Sequence, residues 1–210
     1  MALFFLIRHG ESIANRNGIY QGQSYDTDLS FLGIKQAEAL AKRLKKFQVD
    51  KILTSPLKRT LQTAQIIAEE CKTSLIIDQG LMETNHGLWE GKSIDEVKTN
   101  YPEIFNSWQK TPSKTIFPQG ESFLNTARRV KKWLKNNKEL EGKIVVVAHD
   151  NILRIIFSEV LGFPLDKIWA ISLDQAAISI VSFEDEARLL CLNDSNHLNK
   201  LKSNIDKQAL

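Results

Sequence analysis

Apolar and polar positions along this chain fall into blocks that switch between two periods. Short, largely apolar runs occur at Leu3–Ile7, Lys51–Thr54, Leu75–Asp78 and Lys143–Ala148. Runs of this length predict strands. Ile144-Val145-Val146-Val147-Ala148 has no polar position at all, which predicts a parallel strand buried on both faces. Between these runs the spacing becomes helical. Ile34, Ala37, Leu40, Ala41 and Leu44 form one stripe within Gly33–Phe47, and Leu61, Ala64, Ile67 and Ala68 form another within Arg59–Lys72. Ser122–Asn137 and Ile152–Leu161 predict two further helices. The alternation implies an α/β fold, a three-layer α/β/α sandwich with a mostly parallel central sheet.

Two regions depart from the pattern. Ala177–Phe183 and Arg188–Asn193 flank Glu184-Asp185-Glu186, which reads as a hairpin at a sheet edge. Residues 84–120 carry Trp89, Trp108, Pro102, Pro112 and Pro118, and they predict an insertion over the strand ends, placed to act as a lid or specificity wall. Residues 1–194 are expected to form one domain, and the polar residues 195–210 a C-terminal tail that frays.

Composition narrows the class. At 210 residues, with 42% hydrophobic and 25% charged positions, the chain is long enough for one well-filled core. A formal net charge of +3 favours small anions slightly but is no nucleic-acid footprint. The run Arg128-Arg129-Val130-Lys131-Lys132-Trp133-Leu134-Lys135 reads as the solvated face of a helix rather than a nucleic-acid patch. No apolar stretch is long enough to span a membrane, and the first seven residues lack the features of a signal peptide. A cytoplasmic protein is the expectation. Cys71 and Cys191 match no metal spacing and read as reduced, buried thiols. His9, His86, His149 and His197 show no metal-ligating spacing either, so no metal and no cofactor are expected.

The chemistry concentrates where the predicted strands end. The first apolar run stops at Arg8-His9-Gly10-Glu11-Ser12-Ile13-Ala14-Asn15, and open α/β sheets carry their sites just beyond the carboxyl ends of strands. Arg59, Glu83 and His149 fall at comparable points. Each alone could be a solvated cation, a loop carboxylate or a satisfied histidine. Four such segments in one alternating fold make coincidence the poorer account.

The segments also resemble, block by block, the histidine phosphatase superfamily, with its phosphoglycerate mutase-like fold. The first motif runs from Arg8 to Asn15. Gln21-Gly22 and then Asp28-Leu29-Ser30, Gly33, Gln36 and Ala37 resemble the next block. Thr54-Ser55-Pro56-Leu57-Lys58-Arg59-Thr60 is similar to the segment with the second pocket arginine. Leu81-Met82-Glu83 followed by Gly87, Trp89, Glu90 and Gly91 resembles the segment with the acid. Gly120-Glu121-Ser122-Phe123 resembles the entry to a later helix, and Val147-Ala148-His149 the second histidine.

The resemblance implies a metal-independent phosphomonoesterase acting through a phosphohistidine on His9. Arg8 and Arg59 suit a phosphate dianion because their planar donors grip two oxygens at once. His9 must attack through an unprotonated nitrogen, with its other nitrogen held by an acceptor, most simply a carbonyl in the Gly10 turn. His149 is most useful protonated, and Glu83 is the natural general acid and base. Asn15, Gln21, Gly22, Ser12, Asp150 and Asn151 are the expected substrate contacts, although Ser12 also suits a helix cap. Asp150 stands where the family commonly has glycine. It could cap the helix 152–161, orient His149, or repel a second anionic group. His86 is expected at the pocket rim.

The expected substrate is a small phosphorylated metabolite: a sugar phosphate, phosphoserine, a phosphoglycerate or α-ribazole phosphate. A homodimer is open. The alternatives are a phosphoglycerate mutase, whose longer segment after the acid has no counterpart here, and a non-catalytic phospholigand-binding protein.

Overall fold

The four apolar runs become four parallel strands. In the computed structural model, which describes residues 2–184 and 186–204, the elements run as follows. Strand β1 (Ala2–Arg8) leads into a one-turn helix, α1 (Ile13–Arg16), and then α2 (Phe31–Lys45). Next come β2 (Lys51–Thr54), α3 (Lys58–Cys71) and β3 (Leu75–Ile77). Two short helices, α4 (Ile94–Asn100) and α5 (Pro102–Lys110), precede α6 (Phe123–Asn137), β4 (Gly142–Ala148) and α7 (Asp150–Leu161). The hairpin β5 (Ile178–Phe183) and β6 (Ala187–Asp194) completes the sheet. The strand order is β3-β2-β4-β1-β5-β6. The first four are mutually parallel, and β5 and β6 add antiparallel strands at one edge.

Alternation within the strands builds the three layers. Phe4 and Leu6 of β1 face one side, where α6 and α7 supply Val130, Trp133, Leu134, Ile152 and Ile156. Phe5 and Ile7 face the other, where α2 and α3 supply Leu40, Ala41, Leu44, Ala64 and Ile67. Central β4 is buried from Ile144 to Ala148, as the unbroken apolar run requires. Each fully buried side chain of this size contributes about 1.5–3 kcal/mol by leaving water, so the two cores dominate the fold. Serines start the helices. Ser30 accepts from the Gly33 N–H, Ser122 from Asn125, and Ser93 and Glu96 form a reciprocal capping box.

Residues 84–120 are cemented into the core on the α6–α7 side. Trp89 and Trp108 are fully buried and meet Phe117 edge-to-face at ring separations of 5.1 and 5.2 Å. The segment therefore forms a fixed wall rather than a loose flap.

The structure differs from the sequence expectations at four points. Helix α7 begins at Asp150, two residues early, with His149 as its N-cap, so Asp150 is the first helical residue and not the cap. The run from Arg128 to Lys135 is not wholly solvated, because Arg129 turns inward to the loop before α4. Cys71 and Cys191 are free but only half-buried. Residues 195–204 do not fray. Leu198 is buried, and the Gln36 amide donates to the Leu201 carbonyl at 2.8 Å and the Ser203 hydroxyl at 2.9 Å. Asp185 of the hairpin turn and residues 205–210 of the tail lie outside the described residues. No helix among the described residues is long and apolar enough to cross a membrane.

Gly33 gives a stability test. In an open helix, Gly→Ala gains up to about 1 kcal/mol. Here a Cβ on Gly33 would lie 2.0 Å from the Glu11 carbonyl oxygen. Overpacking of that kind costs about 1–3 kcal/mol and reverses the sign. Gly33→Ala should lower the thermal midpoint; an unchanged or raised midpoint would show that the turn can yield.

Candidate active site

The parallel register places the two histidines. Arg8 of β1 lies opposite Ala148 of β4, so the residues that follow, His9 and His149, emerge side by side. Their rings meet edge-to-face with centroids 5.3 Å apart. On the other side of β4, β2 delivers Ser55, whose Oγ lies 2.9 Å from His149 Nε2.

The turn after β1 is fixed from two helices. Gly10 N–H donates to Thr63 Oγ1 of α3 at 3.1 Å. Glu11 N–H donates to Gln36 Oε1 of α2 at 2.8 Å, and Ser30 Oγ donates to Glu11 Oε1 at 2.6 Å. The approach is so close that a Cβ on Gly10 would stand 2.6 Å from the Gly33 carbonyl oxygen. In this turn His9 Nδ1 lies 2.7 Å from the Gly10 carbonyl. A carbonyl can only accept, so Nδ1 carries the hydrogen and Nε2 keeps its lone pair.

Both arginines are buried and aimed by acceptors. Arg59 Nη1 pairs with Asp26 Oδ1 at 2.9 Å, and its Nη2 donates to the Gly22 carbonyl at 3.1 Å. Arg8 Nη1 donates to the Leu173 carbonyl at 2.7 Å and lies 3.4 Å from Asp150 Oδ1. Asp150 is held in turn by Arg154, which also donates to the Ile168 and Ile171 carbonyls and stacks on Trp169. Asp150 thus orients Arg8. It makes no hydrogen bond to His149, which corrects one of the roles expected of it.

Glu83 is buried and accepts the Thr84 N–H on Oε1 at 2.7 Å. Beside it, His86 Nδ1 donates to the Gln21 carbonyl at 2.6 Å, leaving Nε2 facing the Asn151 amide at 3.3 Å. Glu90 ties these loops together. Its carboxylate accepts the N–H groups of Gln23, Ser24, Tyr25 and His86.

One narrow cavity, of about 30 Å³, is lined by Arg8, His9, Asn15, Gln21, Arg59, Glu83, His86, Asp150 and Asn151. Most of the predicted residues therefore converge. Three do not line it. Ser12 caps α1, accepting the Asn15 N–H at 3.0 Å, and its hydroxyl donates to Asn15 Oδ1 at 2.9 Å, which corrects its expected substrate contact. Gly22 contributes its carbonyl to Arg59 instead of contacting the cavity. His149 is fully buried one layer behind His9, with no hydrogen-bond partner for Nδ1. His86 was expected only at the rim. Asp26, Ser55, Glu90, Arg129 and Arg154 were not singled out by the sequence. Asp26 and Arg154 lie close in sequence to the quoted motif positions Asp28 and His149, and Ser55 and Glu90 lie inside quoted motifs, so proximity to a motif was the available signal.

The cavity shifts every acid and base it touches. Burial, then Arg59 and Arg8, hold the His9 imidazole well below the usual histidine range, outweighing the Gly10 carbonyl. Burial, Arg59 and His9 do the same to His149, which favours its neutral imidazole. Burial lifts the Glu83 carboxyl to about 7 against the pull of the Thr84 N–H and Arg59, with Asp150 pushing the same way as burial. Asp150 stays low despite its burial, because Arg154 and Arg8 favour its anion.

With this geometry in place, the comparisons with known proteins define the class. The profile of the histidine phosphatase superfamily, branch 1, matches residues 4–195. Phosphoserine phosphatase 1 of Hydrogenobacter thermophilus is 38% identical over 94% of this chain and 95% of its own length. A Yersinia pestis protein named a probable phosphoglycerate mutase is 32% identical over 88% of this chain and 86% of its own. Among solved structures, the α-ribazole phosphatase of Shigella flexneri superposes with a TM-score of 0.82 at 28% identity, covering 91% of this chain and 96% of that one. The chain therefore belongs to the histidine phosphatase superfamily, as a phosphomonoesterase of the type that works through a phosphohistidine.

The raised Glu83 carboxyl has a stability consequence. Its pKa in the fold, about 7, exceeds the ordinary 4.5, so the fold prefers the neutral acid. That preference is intact below the ordinary value and is lost as pH rises through about 7. A shift of this size corresponds to roughly 3 kcal/mol. Glu83→Gln should therefore be more stable than the parent at about pH 8, with the gain vanishing near pH 4.5, as read from urea midpoints. A pH-independent difference would show that the carboxyl is not held neutral.

Proposed function

We propose that this phosphatase hydrolyses L-phosphoserine, or a phosphomonoester of comparable size, with His9 as nucleophile and Glu83 as general acid and base. The observation that carries the roles is the His9 tautomer. The Gly10 carbonyl keeps the hydrogen on Nδ1, and the neutral Nε2 stands at a cavity lined by Arg8, Arg59 and a carboxyl that is still protonated near neutrality.

In the first half-reaction His9 Nε2 forms a bond to phosphorus, and the ester oxygen leaves. The Glu83 proton passes to that oxygen, because a bare alkoxide is a poor leaving group. Arg8, Arg59 and Asn15 hold the phosphoryl oxygens, so side chains of this chain supply the positive charge at the transferring group. His149 has an unpartnered Nδ1 behind His9, and an arriving dianion favours its protonation. In the second half-reaction the Glu83 carboxylate takes a proton from water, whose oxygen bonds to phosphorus. The P–N bond breaks, releasing inorganic phosphate and neutral His9.

Phosphoserine is favoured by the Hydrogenobacter thermophilus relative, which shares 38% identity over nearly its whole length. His86 and Asn151 stand beside Glu83, where the leaving alcohol must lie, and are the groups placed to select it. A mutase must also hold the phosphohistidine away from water while a second phosphorylated ligand binds, and the longer segment that does so in mutases has no counterpart after Glu83, where the chain runs directly into Thr84-Asn85-His86-Gly87. Conversion of 3- to 2-phosphoglycerate should therefore be absent with 2,3-bisphosphoglycerate supplied; steady conversion would overturn the hydrolase reading.

The direct test is phosphate release from a panel of esters in EDTA. His9→Ala should abolish turnover, and the wild type quenched during turnover should carry acid-labile, base-stable phosphate. Retained activity in the mutant would refute the nucleophile assignment. The pH profile adds a second check. For phosphoserine, kcat/KM should fall above about pH 7 as Glu83 loses its proton, and it should hold below pH 6.5 because His9 stays neutral. A basic limb that persists in Glu83→Gln would assign it to another group.

A further inference from the structure

Two features remain without a role: the Gly120-Glu121-Ser122 block and the inward turn of Arg129. The structure joins them. Arg129 Nη1 donates to the Gly80 carbonyl at 3.0 Å and to the Met82 carbonyl at 2.6 Å. Its Nη2 donates to the Glu83 carbonyl at 3.3 Å and to Glu121 Oε1 at 3.1 Å. The same Glu121 oxygen accepts the Asn85 N–H at 2.8 Å, and the Glu121 N–H donates to the Asn85 carbonyl at 3.0 Å. Gly120 is what allows this approach, since a Cβ there would stand 2.4 Å from the Asn85 carbonyl oxygen. The backbone is thus gripped at residues 80, 82, 83 and 85, on both sides of Glu83.

We infer that Arg129 and Glu121 form a clamp that positions the Glu83 carboxyl for proton transfer. The inference rests on the reading of Glu83 as general acid and base. Neither clamp residue lines the cavity, and both act on the backbone around Glu83, so they are positioning residues. The clamp needs a guanidinium. Four acceptors lie in different directions around one planar fork, whereas an ammonium is a compact point charge. A clamp of this kind matters because a proton crosses only over hydrogen-bond distance, and a misplacement of about 1 Å costs about 10²-fold in rate. The competing account is electrostatic: Arg129 is a cation that pulls the Glu83 carboxyl down. Lysine separates the two, because it keeps the charge and loses the fork.

The experiment compares wild type, Arg129→Lys, Glu83→Gln and the double variant on two substrates. L-phosphoserine has a poor leaving group that needs the acid, and 4-nitrophenyl phosphate has a good one that does not. Arg129→Lys should lower kcat on phosphoserine about 10²-fold. On 4-nitrophenyl phosphate the loss should stay under about 5-fold, with competitive inhibition by inorganic phosphate unchanged. In the Glu83→Gln background the same change should add nothing, because the group it positions is gone. If Arg129→Lys fails to fold, Glu121→Gln carries the same prediction at smaller size, since it keeps the Asn85 contact and loses the charge opposite Arg129. Losses equal on the two esters, losses that multiply in the Glu83→Gln background, or full activity with lysine would each overturn the clamp. Glu83→Gln with undiminished phosphoserine hydrolysis would instead overturn the acid assignment, and the clamp with it.

Discussion

The structure depends most on the parallel register between β1 and β4. These are the two central strands of the sheet, each covered on both faces, and their ends coincide at Arg8 and Ala148. Fixing that one register sets the distance between His9 and His149 and brings Arg8 to the mouth of the sheet, while the parallel β2–β4 register leaves Ser55 beside His149. A strand buried on both sides has little freedom to slip, because a shift of one residue would exchange its two faces. The reactive groups therefore inherit the rigidity of the core.

Around that fixed point the chain uses backbone carbonyls to do its fine positioning. The Gly10 carbonyl selects the His9 tautomer, those of Leu173 and Gly22 aim the two arginines, and those of Gly80, Met82 and Glu83 receive Arg129. Carbonyls suit this work because they accept without adding a charge. Charge is added sparingly, as one carboxylate for each pocket arginine: Asp26 for Arg59 and Asp150 for Arg8. Those carboxylates orient the guanidinium groups without removing their donors from the cavity.

The site also shows how burial, as the largest of several influences, prepares acid–base chemistry. His9 and Glu83 line a small cavity with two arginines, and His149 is buried directly behind His9. Desolvation opposes charge in all three, so it holds the imidazoles neutral and the carboxyl protonated. Those are the states a nucleophile and a general acid require before substrate arrives. A phosphate dianion beside His9 would work against this at His149, because a nearby negative charge favours the imidazolium.

Much of this was legible in the sequence because it follows from local pattern. Unbroken apolar runs predicted the buried strands, 3.6-residue stripes predicted the helices, and Arg8, His9, Arg59, Glu83 and His149 stood at strand ends or the turns after them. Glycine beside His9 announced a close turn. What the sequence could not settle were interactions between segments distant along the chain. Ser12 and Asp150 each had more than one reading, and only the fold showed Ser12 closing its own helix and Asp150 reaching back to Arg8. Arg129 looked like one more cation on a basic helix face. Its role depends on the acid loop folding back across α6 some 46 residues away in sequence, and no local periodicity records that. Side-chain type and spacing determined which chemistry this chain can perform, and tertiary packing decided which of its many polar groups are aimed at it.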